Sequence, residues 1–461
     1  MSDSQPPNQQ RPPWQGGPVP PPSGPTPTPQ GPAPSPWTRP YDPPSPWARP
    51  SGPAPSAGAF GAPAPAEPYR PVQVRMVRRA GAPLAGLILA AIGAAVVVFL
   101  ALSGATTVGT FVGAVVLATV GAVVVITCYM WLDRWEPEPP AYLIWAFLWG
   151  GGVATVGAMV IEQVLSLLVF DGDEVLTAAV GAPLAEESLK GAFLLIMLTG
   201  LRRREMTSLT DTLVYAGMSG IGFAFVENLL YFSTSESLGQ TTFMFFARIL
   251  MGAFAHPFFT TMTALGVWAS MQRRAGGAKV TFILLGLAGA MVLHGLWNLS
   301  SSYSITAYVG TYVLVMVPAF VVLVRQAIRS RRLEGVVVRR ELPEMVWSGL
   351  ISPEEAGWLG SLRTRAARTR GLPREEARAV ATFTDAVTEL AFVRDRIKRG
   401  WSTPELQAQQ AELAMFVADL HAAAAPVIEP MTGGIPVVPP VAPPPSAPLP
   451  PFEPRPGGWR G

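Results

Sequence analysis

Three charged residues interrupt a long apolar stretch of this chain, and their spacing could bring them together. Glu186, Glu187 and Lys190 lie within the apolar run 178–198. Each charge near a bilayer centre costs about 2.5–3.5 kcal/mol on insertion scales, so such residues persist where partners face them inside a bundle. Lys190 follows the two glutamates by four and three residues, which places all three on one helical face. One ammonium neutralises only one carboxylate, so a site is favoured over an ion pair that merely fixes packing.

Later apolar runs carry polar residues that could face this cluster. They are Glu227, Asn228, Arg248, His256, His294 and Asn298, and the chain has only 3 histidines in total. His294 and Asn298 share a helical face, and Gly295 permits a neighbouring helix to approach closely. His256 precedes Pro257, which disfavours helical geometry at residue 256. Arg248 could support the cluster or extend to the membrane surface.

Two chemistries fit these residue types, and the sequence leaves both open. In the first, Glu186 or Glu187 polarises a water that attacks a peptide carbonyl, while His294 and Asn298 stabilise the oxyanion. In the second, glutamates and histidines bind a divalent metal such as zinc, which lowers the pKa of a bound water. The candidate ligands are Glu186, Glu227, His256 and His294. The chain has no His-Glu-x-x-His motif, which excludes a zincin-type site.

A Gly-x-Ser-Gly motif at 217–220 is similar to that of rhomboid serine proteases. Ser219 is expected nearer the inner side of the membrane than His294, so His294 would be too far away to act as its base. Small residues commonly form packing faces between membrane helices, so we interpret this motif as a packing face.

The composition indicates a polytopic membrane protein. Hydrophobic residues make up 49% of the 461 positions and charged residues only 14%, which excludes an ordinary soluble enzyme. The net charge is +3, and many basic residues flank apolar runs, so we expect no nucleic-acid partner. Apolar runs long enough to cross the lipid bilayer occupy 83–102, 108–132, 141–170, 178–199, 210–232, 242–271, 280–300 and 305–325. The predicted fold is therefore an all-α bundle of about eight transmembrane helices over 83–325.

Basic residues alternate between the connections of these spans. The second, fourth and sixth connections contain arginine, whereas the first, third, fifth and seventh contain neither lysine nor arginine. Arginines also precede the first span and follow the last. The positive-inside rule therefore predicts that both termini are cytoplasmic. It also predicts that the Glu–His residues lie in the middle and outer half of the membrane, with Glu186 about 12 Å below the outer end of its helix.

The regions outside the spans differ from them in composition. Residues 1–71 are rich in proline and predict a disordered cytoplasmic tail. Residues 341–424 predict a small soluble helical domain, in which Ser352 and Glu355 form a capping box and Pro404 begins a further helix. Residues 426–461 predict a second disordered, proline-rich tail.

Several ordered motifs together resemble the PrsW-type intramembrane proteases, which are related to CAAX prenyl protease-like membrane proteins. The motifs are Asp133-Arg134-Trp135-Glu136-Pro137-Glu138-Pro139, Glu186-Glu187-Ser188-Leu189-Lys190, Gly222-Phe223-Ala224-Phe225-Val226-Glu227-Asn228, Arg248 with His256, and Leu293-His294-Gly295. The resemblance implies essential roles for Glu186, Glu187 and His294, and it matches further family positions at Glu227, Asn228 and His256. Asn298 stands where family members can carry Asp, and CAAX-type relatives have His in place of Glu227.

The resemblance also implies a function. It predicts an endopeptidase of the bacterial plasma membrane that cleaves single-pass membrane proteins near their extracytoplasmic face, with an anti-sigma factor as the family's substrate class. The hypothesis from another class is a proton-coupled transporter that relays protons through the Glu/His/Lys residues. A catalytically silent membrane scaffold is the third alternative.

Overall fold

The computed structural model describes residues 84–428, without the side chains of residues 201, 425 and 426. This part of the chain is helical and contains no strand. Seven helical stretches of this part, some of them made of consecutive helical segments, are long and apolar enough to cross a membrane. They are Leu84–Gly104, Val108–Leu132, Pro140–Leu168, Leu209–Ser233, Leu238–Met271, Gly276–Tyr303 and Ile305–Trp347. The predicted all-α polytopic bundle is therefore confirmed. Tails 1–71 and 429–461 lie outside the described residues, as do the arginines expected before the first span.

The apolar part of the chain folds into twelve α-helices. They are α1 Leu84–Gly104, α2 Val108–Leu132, α3 Pro140–Leu148, α4 Thr155–Leu168, α5 Glu174–Leu176, α6 Ala182–Met197, α7 Leu209–Ser233, α8 Leu238–Met244, α9 Ala255–Met271, α10 Gly276–Tyr303, α11 Ile305–Thr311 and α12 Val317–Trp347. Segments of π-helix join α3 to α4, α5 to α6 and α11 to α12, and another follows α8. Such wide turns often occur at functional sites. One lies directly before α6, which carries Glu186, and another ends three residues before α9, which carries His256.

The predicted fourth span, 178–199, is not among the seven apolar helices. It is nevertheless helical without a break from Glu174 to Met197, a length of about 36 Å. Glu186, Glu187 and Lys190 make this helix less apolar than the other seven. Since the helix begins four residues earlier than predicted, Glu186 lies about 18 Å from its start rather than about 12 Å.

Helix α7 lies at the centre of the bundle. Its most apolar stretch is 83% buried, more than in any other of the seven helices, because α2, α3, α6 and α9 pack around it. A reciprocal capping box of Ser208 and Asp211 fixes where α7 begins. This central helix carries Glu227 and Asn228 within its last two turns, where they can reach α9 and the π-helical segment before it.

The last described helices build a second hydrophobic core outside the membrane bundle. They are α13 Pro353–Leu359, α14 Leu362–Thr369, α15 Arg374–Lys398 and α16 Pro404–Ile428. The predicted Ser352–Glu355 capping box and the helix start at Pro404 are confirmed. Trp135, from the connection between α2 and α3, is 7% exposed and belongs to this second core. Helix α16 runs to Ile428, so residues 426–428 are helical rather than part of the predicted tail.

Candidate active site

Three membrane helices bring five of the predicted polar residues into one buried cluster. Helix α6 contributes Glu186, Glu187 and Lys190, while α9 contributes His256 and α10 contributes His294. Glu187 and Lys190 are fully buried, and the other three are at most 8% exposed. The i,i+3 and i,i+4 spacing on α6 therefore does place both carboxylates beside the ammonium, and two further helices add imidazoles.

Lys190 lies at the centre of the cluster. Its Nζ donates to Glu186 Oε2 and Glu187 Oε1, each at 2.8 Å, and lies 3.0 Å from His256 Nδ1. The ammonium also lies 3.8 Å from the centroid of the Phe223 ring, a cation–π contact. One cation therefore neutralises part of the charge of both glutamates while it contacts a histidine nitrogen.

The contact with Lys190 assigns the tautomer of His256, because an ammonium can only donate to the ring nitrogen that it faces. The other nitrogen, Nε2, lies 2.6 Å from Glu227 Oε2. His256 Nδ1 then carries the lone pair, which accepts from Lys190 and lies 3.7 Å from Glu186 Oε2. Glu227 therefore orients the imidazole so that one ring nitrogen faces the Glu pair.

His294 has the same arrangement with another carboxylate. Its Nδ1 lies 3.0 Å from Glu187 Oε1 and donates to it, which leaves the Nε2 lone pair 3.9 Å from Glu186 Oε2. The Phe259 ring stacks on the imidazole with centroids 4.8 Å apart, and this contact fixes the ring plane. Each histidine thus presents one nitrogen to Glu186, and a carboxylate holds the other.

Arg248 points into the bundle rather than out to the membrane surface. Its Nη2 lies 2.5 Å from Glu227 Oε2, and its Nε donates to Asn228 Oδ1 at 2.7 Å. Its guanidinium also covers the Tyr231 ring at 4.1 Å. Asn228 therefore holds Arg248, which pairs with Glu227, and Glu227 in turn contacts His256.

Asn298 has a partner outside the cluster. Its Nδ2 donates to the carbonyl of Ala178 at 2.9 Å, in the π-helical segment just before α6. Gly295 lies one turn earlier on α10, where a Cβ atom would stand 2.5 Å from the Ala179 carbonyl. The close approach expected at Gly295 is thus present, and Asn298 ties α10 to the helix that carries the Glu pair.

The backbone around His256 differs from the sequence prediction. His256 is helical, and the irregular turn falls earlier, at residues 252–254. Proline is tolerated in the first turn of a helix because the amide proton it lacks has no partner there. The His256 carbonyl accepts from Thr260 Oγ1 at 3.0 Å.

The Gly-x-Ser-Gly motif packs helices together. Ser219 is fully buried, and its Oγ donates to the Lys190 carbonyl at 3.4 Å. A Cβ at Gly220 would stand 2.7 Å from Pro257 Cα, so the small residue lets α7 and α9 meet. The interpretation as a packing face agrees with these contacts.

Two residues that sequence reasoning missed take part in the cluster. Thr260 Oγ1 lies 3.1 Å from Glu187 Oε2, which gives that carboxylate a further donor. Glu162 on α4 is partly buried and close enough to Glu186 and Glu227 to interact electrostatically with both. Thr260 follows His256 by one helical turn, and Glu162 is a charged residue in an apolar run, so the sequence pattern could have identified both.

The donor set of the cluster fits a divalent metal. One ligand atom each from Glu186, Glu187, His256 and His294 lie within 4.8 Å of one another. Histidines that bind a metal almost always donate their other ring N–H to a carboxylate or carbonyl. His294 does so to Glu187, and His256 Nε2 lies 2.6 Å from Glu227. Lys190 contacts three of the same four residues, so a metal could bind these atoms once the ammonium turns aside.

The part of the chain that builds this cluster has known relatives. Residues 138–323, which include all nine predicted site residues, match the PrsW family of intramembrane metalloproteases. The protease PrsW of Clostridioides difficile (strain 630) is 25% identical over 171 residues, which are 36% of this chain and 69% of that protein. No solved structure matches the chain. The resemblance seen in the sequence is therefore confirmed, and it indicates an intramembrane peptidase.

Proposed function

Because residues 138–323 are similar to PrsW proteases, we propose that this chain is an endopeptidase that hydrolyses single-pass membrane proteins inside the bilayer. The observation that carries the proposal is the arrangement of the two histidines. His256 and His294 each turn one nitrogen towards Glu186, while Glu227 and Glu187 hold the other nitrogen. A packing ion pair requires only Lys190 and one glutamate, so it does not account for two oriented imidazoles.

Each group has a role that follows from its contacts. Glu186 faces both histidine nitrogens and can accept the proton of an attacking water. It can then return that proton to the amine nitrogen as the peptide C–N bond breaks. Glu187 receives donors from Lys190, His294 and Thr260, so it acts as the group that orients His294. The peptide carbonyl gains negative charge during attack, and the nearby ammonium of Lys190 can stabilise it.

A divalent metal such as zinc would be held by Glu186, His256 Nδ1 and His294 Nε2, with Glu187 beside them. Two histidines and a glutamate form the ligand set of many catalytic zinc sites. When bound, zinc would lower the pKa of a water molecule and polarise the scissile carbonyl. Glu227 would keep its role, because it fixes which nitrogen of His256 is free.

The substrate class follows from the surroundings of the cluster. The bundle buries the site among apolar helices, so a peptide bond must reach it from the membrane rather than from bulk water. The alternating arginines support the further proposal that both termini are cytoplasmic and that the cluster lies in the middle and outer half of a bacterial plasma membrane. A membrane-anchored regulator such as an anti-sigma factor would fit this geometry.

The test combines metal content with cleavage. The full-length protein, Glu186→Gln and His256→Ala would be reconstituted with a single-pass reporter, and bound zinc would be measured by elemental mass spectrometry. We expect about one zinc per wild-type chain, at least a 100-fold loss of cleavage in both variants, and loss of the metal from both. Glu236→Gln is the matched control, because it changes an exposed carboxylate in the connection before α8.

Two outcomes would change the proposal. If zinc-free enzyme cleaves at the wild-type rate in the presence of a chelator, a glutamic-type mechanism with Glu186 as base replaces the metal site. If cleavage is absent from wild type while His294→Ala abolishes a proton-coupled flux in vesicles, the transporter replaces the protease.

A further inference from the structure

An apolar groove lies between α2, α9 and α12, next to the Glu–His cluster but separate from it. Its cavity volume is about 510 Å³. One end of the groove lies at Phe254, just before α9, and at Phe320 near the start of α12. The other end lies at Trp131, near the end of α2, and at Ile328, further along α12. Because α2 and α12 both lead to arginine-bearing segments, this second end lies at the arginine-rich face of the bundle.

The wall of the groove offers hydrocarbon and almost no free polar groups. Two threonines line it, and both hydroxyls turn to backbone carbonyls of their own helices. Thr127 Oγ1 donates to Val123 at 2.8 Å, and Thr261 Oγ1 donates to Pro257 at 2.6 Å. A ligand that needed hydrogen bonds along its length would find few partners here, so the occupant is apolar along the groove.

The arginine-rich end has a different character. Arg331 lies over the Trp131 ring at 3.9 Å, and its buried Nε has no hydrogen-bond partner among the described residues. Arg134 and Glu334 are the charged groups that act on it. A buried guanidinium N–H without an acceptor is costly, and the guanidinium fork fits the oxygens of a phosphate or a carboxylate.

We propose that this groove is a binding site for an anionic phospholipid, with an acyl chain between α2 and α12 and the phosphate at Arg331. Arg134 supplies a second positive charge at the headgroup, and Trp131 lies at the level where aromatic side chains meet the membrane surface. The exposed arginines of α12 attract anionic lipids to this face in general. Arg331 differs from them in its burial against Trp131 and its unpaired Nε.

Lipid retention measured on the full-length protein tests the proposal without any need for protease activity. The purified protein would be titrated with phosphatidylglycerol and with phosphatidylcholine of the same acyl chains, and bound lipids would be counted by native mass spectrometry. We expect one phosphatidylglycerol to be held more tightly than phosphatidylcholine. Arg331→Gln should weaken it about tenfold, because a charge-assisted hydrogen bond is worth about 1.5 kcal/mol or more.

Arg329→Gln is the matched control, because it removes the same charge from an exposed position two residues away. Equal losses in Arg329→Gln and Arg331→Gln would mean that a diffuse basic belt binds lipid, and the site would be rejected. Equal retention of both headgroups by wild type would also reject it.

A second measurement uses a folded protein with no substitution. Cys128 is the only cysteine of the chain and lines the groove, so N-ethylmaleimide modifies one known position there. Prior modification should lower phosphatidylglycerol retention, and bound phosphatidylglycerol should slow the modification. If modification instead blocks reporter cleavage and leaves lipid retention unchanged, the groove receives a peptide segment of the substrate rather than a lipid.

Discussion

Two groups of buried carboxylates lie in this bundle, and their partners differ. In the membrane cluster, Glu186 and Glu187 meet the ammonium of Lys190 and two imidazoles. The second group lies where α2 ends and α7 begins, at the arginine-rich face. Its carboxylates accept mainly from hydroxyl and backbone donors: Tyr215 donates to Glu138, the Glu138 backbone to Asp133, and Ser208 to Asp211 and Glu334.

This difference in partners has a chemical consequence. Burial raises the pKa of Asp133 to about 8, and the neighbouring Asp211 adds to the effect. Burial and nearby carboxylates also hold the pKa values of Glu136 and Glu138 well above their usual range. Asp133, Glu136 and Glu138 therefore keep their protons at neutral pH. The membrane cluster has Lys190 and Arg248 beside its acids, which offsets part of their negative charge.

The largest expected effect comes from Glu187→Gln in the membrane cluster. The amide removes one charge beside Lys190 and weakens the bond that orients His294. We expect at least a 100-fold drop in the cleavage rate of a reconstituted reporter, with the thermal unfolding midpoint as the check on folding. A rate within threefold of wild type would remove Glu187 from the site.

Trp135→Ala should mainly affect the stability of the second core, in contrast to the variants of the membrane cluster. The indole is buried in the second core and lies under the Arg365 guanidinium at 4.9 Å. Loss of a buried tryptophan costs about 3–5 kcal/mol. Limited proteolysis should therefore release helices α13–α16 faster than in wild type, while Trp347→Ala, at an exposed tryptophan of α12, serves as control. Equal cleavage of the two variants would contradict the coupling of this core to the connection between α2 and α3.

Glu227→Gln should have an intermediate effect, because Glu227 acts through His256. Partners of this kind typically change activity or metal affinity by about 10–100-fold. Gln can still accept from His256, so the pH profile of cleavage should shift and part of the rate should remain. A loss as complete as that of Glu186→Gln would mean that Glu227 contacts the substrate or the metal directly.

The smallest effect concerns the pH dependence of stability in the second group. The pKa of Asp133 is raised in the folded protein, so the folded state binds more protons than the unfolded state between about pH 4 and pH 8. Its contribution therefore makes stability fall as pH rises through that window. Asp133→Asn can still accept from the Glu138 amide but has no proton to lose. Unfolding midpoints at pH 5 and pH 8 should differ less in the variant than in wild type, and an unchanged difference would contradict this assignment.

The sequence by itself determined the fold class and the identity of most site residues. A helix forms all backbone hydrogen bonds within its own segment, which a chain inside a bilayer requires. The bundle was therefore predictable from composition and from the length of the apolar runs. The cost of charges inside such runs marked Glu186, Glu187, Lys190, Glu227 and the histidines. The capping signals at Ser352 and Pro404 depend only on local residues, and they were predicted correctly.

The tertiary structure decided the role that each polar residue takes. Only the packing of α7, α9 and α10 against α6 shows that Glu227 holds His256, that Glu187 holds His294, and that Asn298 bonds to Ala178 instead of the cluster. Only the tertiary structure shows that Trp135 packs in the second core. Helical spacing fixes which residues share a face of one helix, whereas contacts between helices depend on their rotation and depth relative to one another. Small residues and close packing across the whole bundle set the rotation and depth of each helix, so these cannot be predicted from any single stretch of sequence.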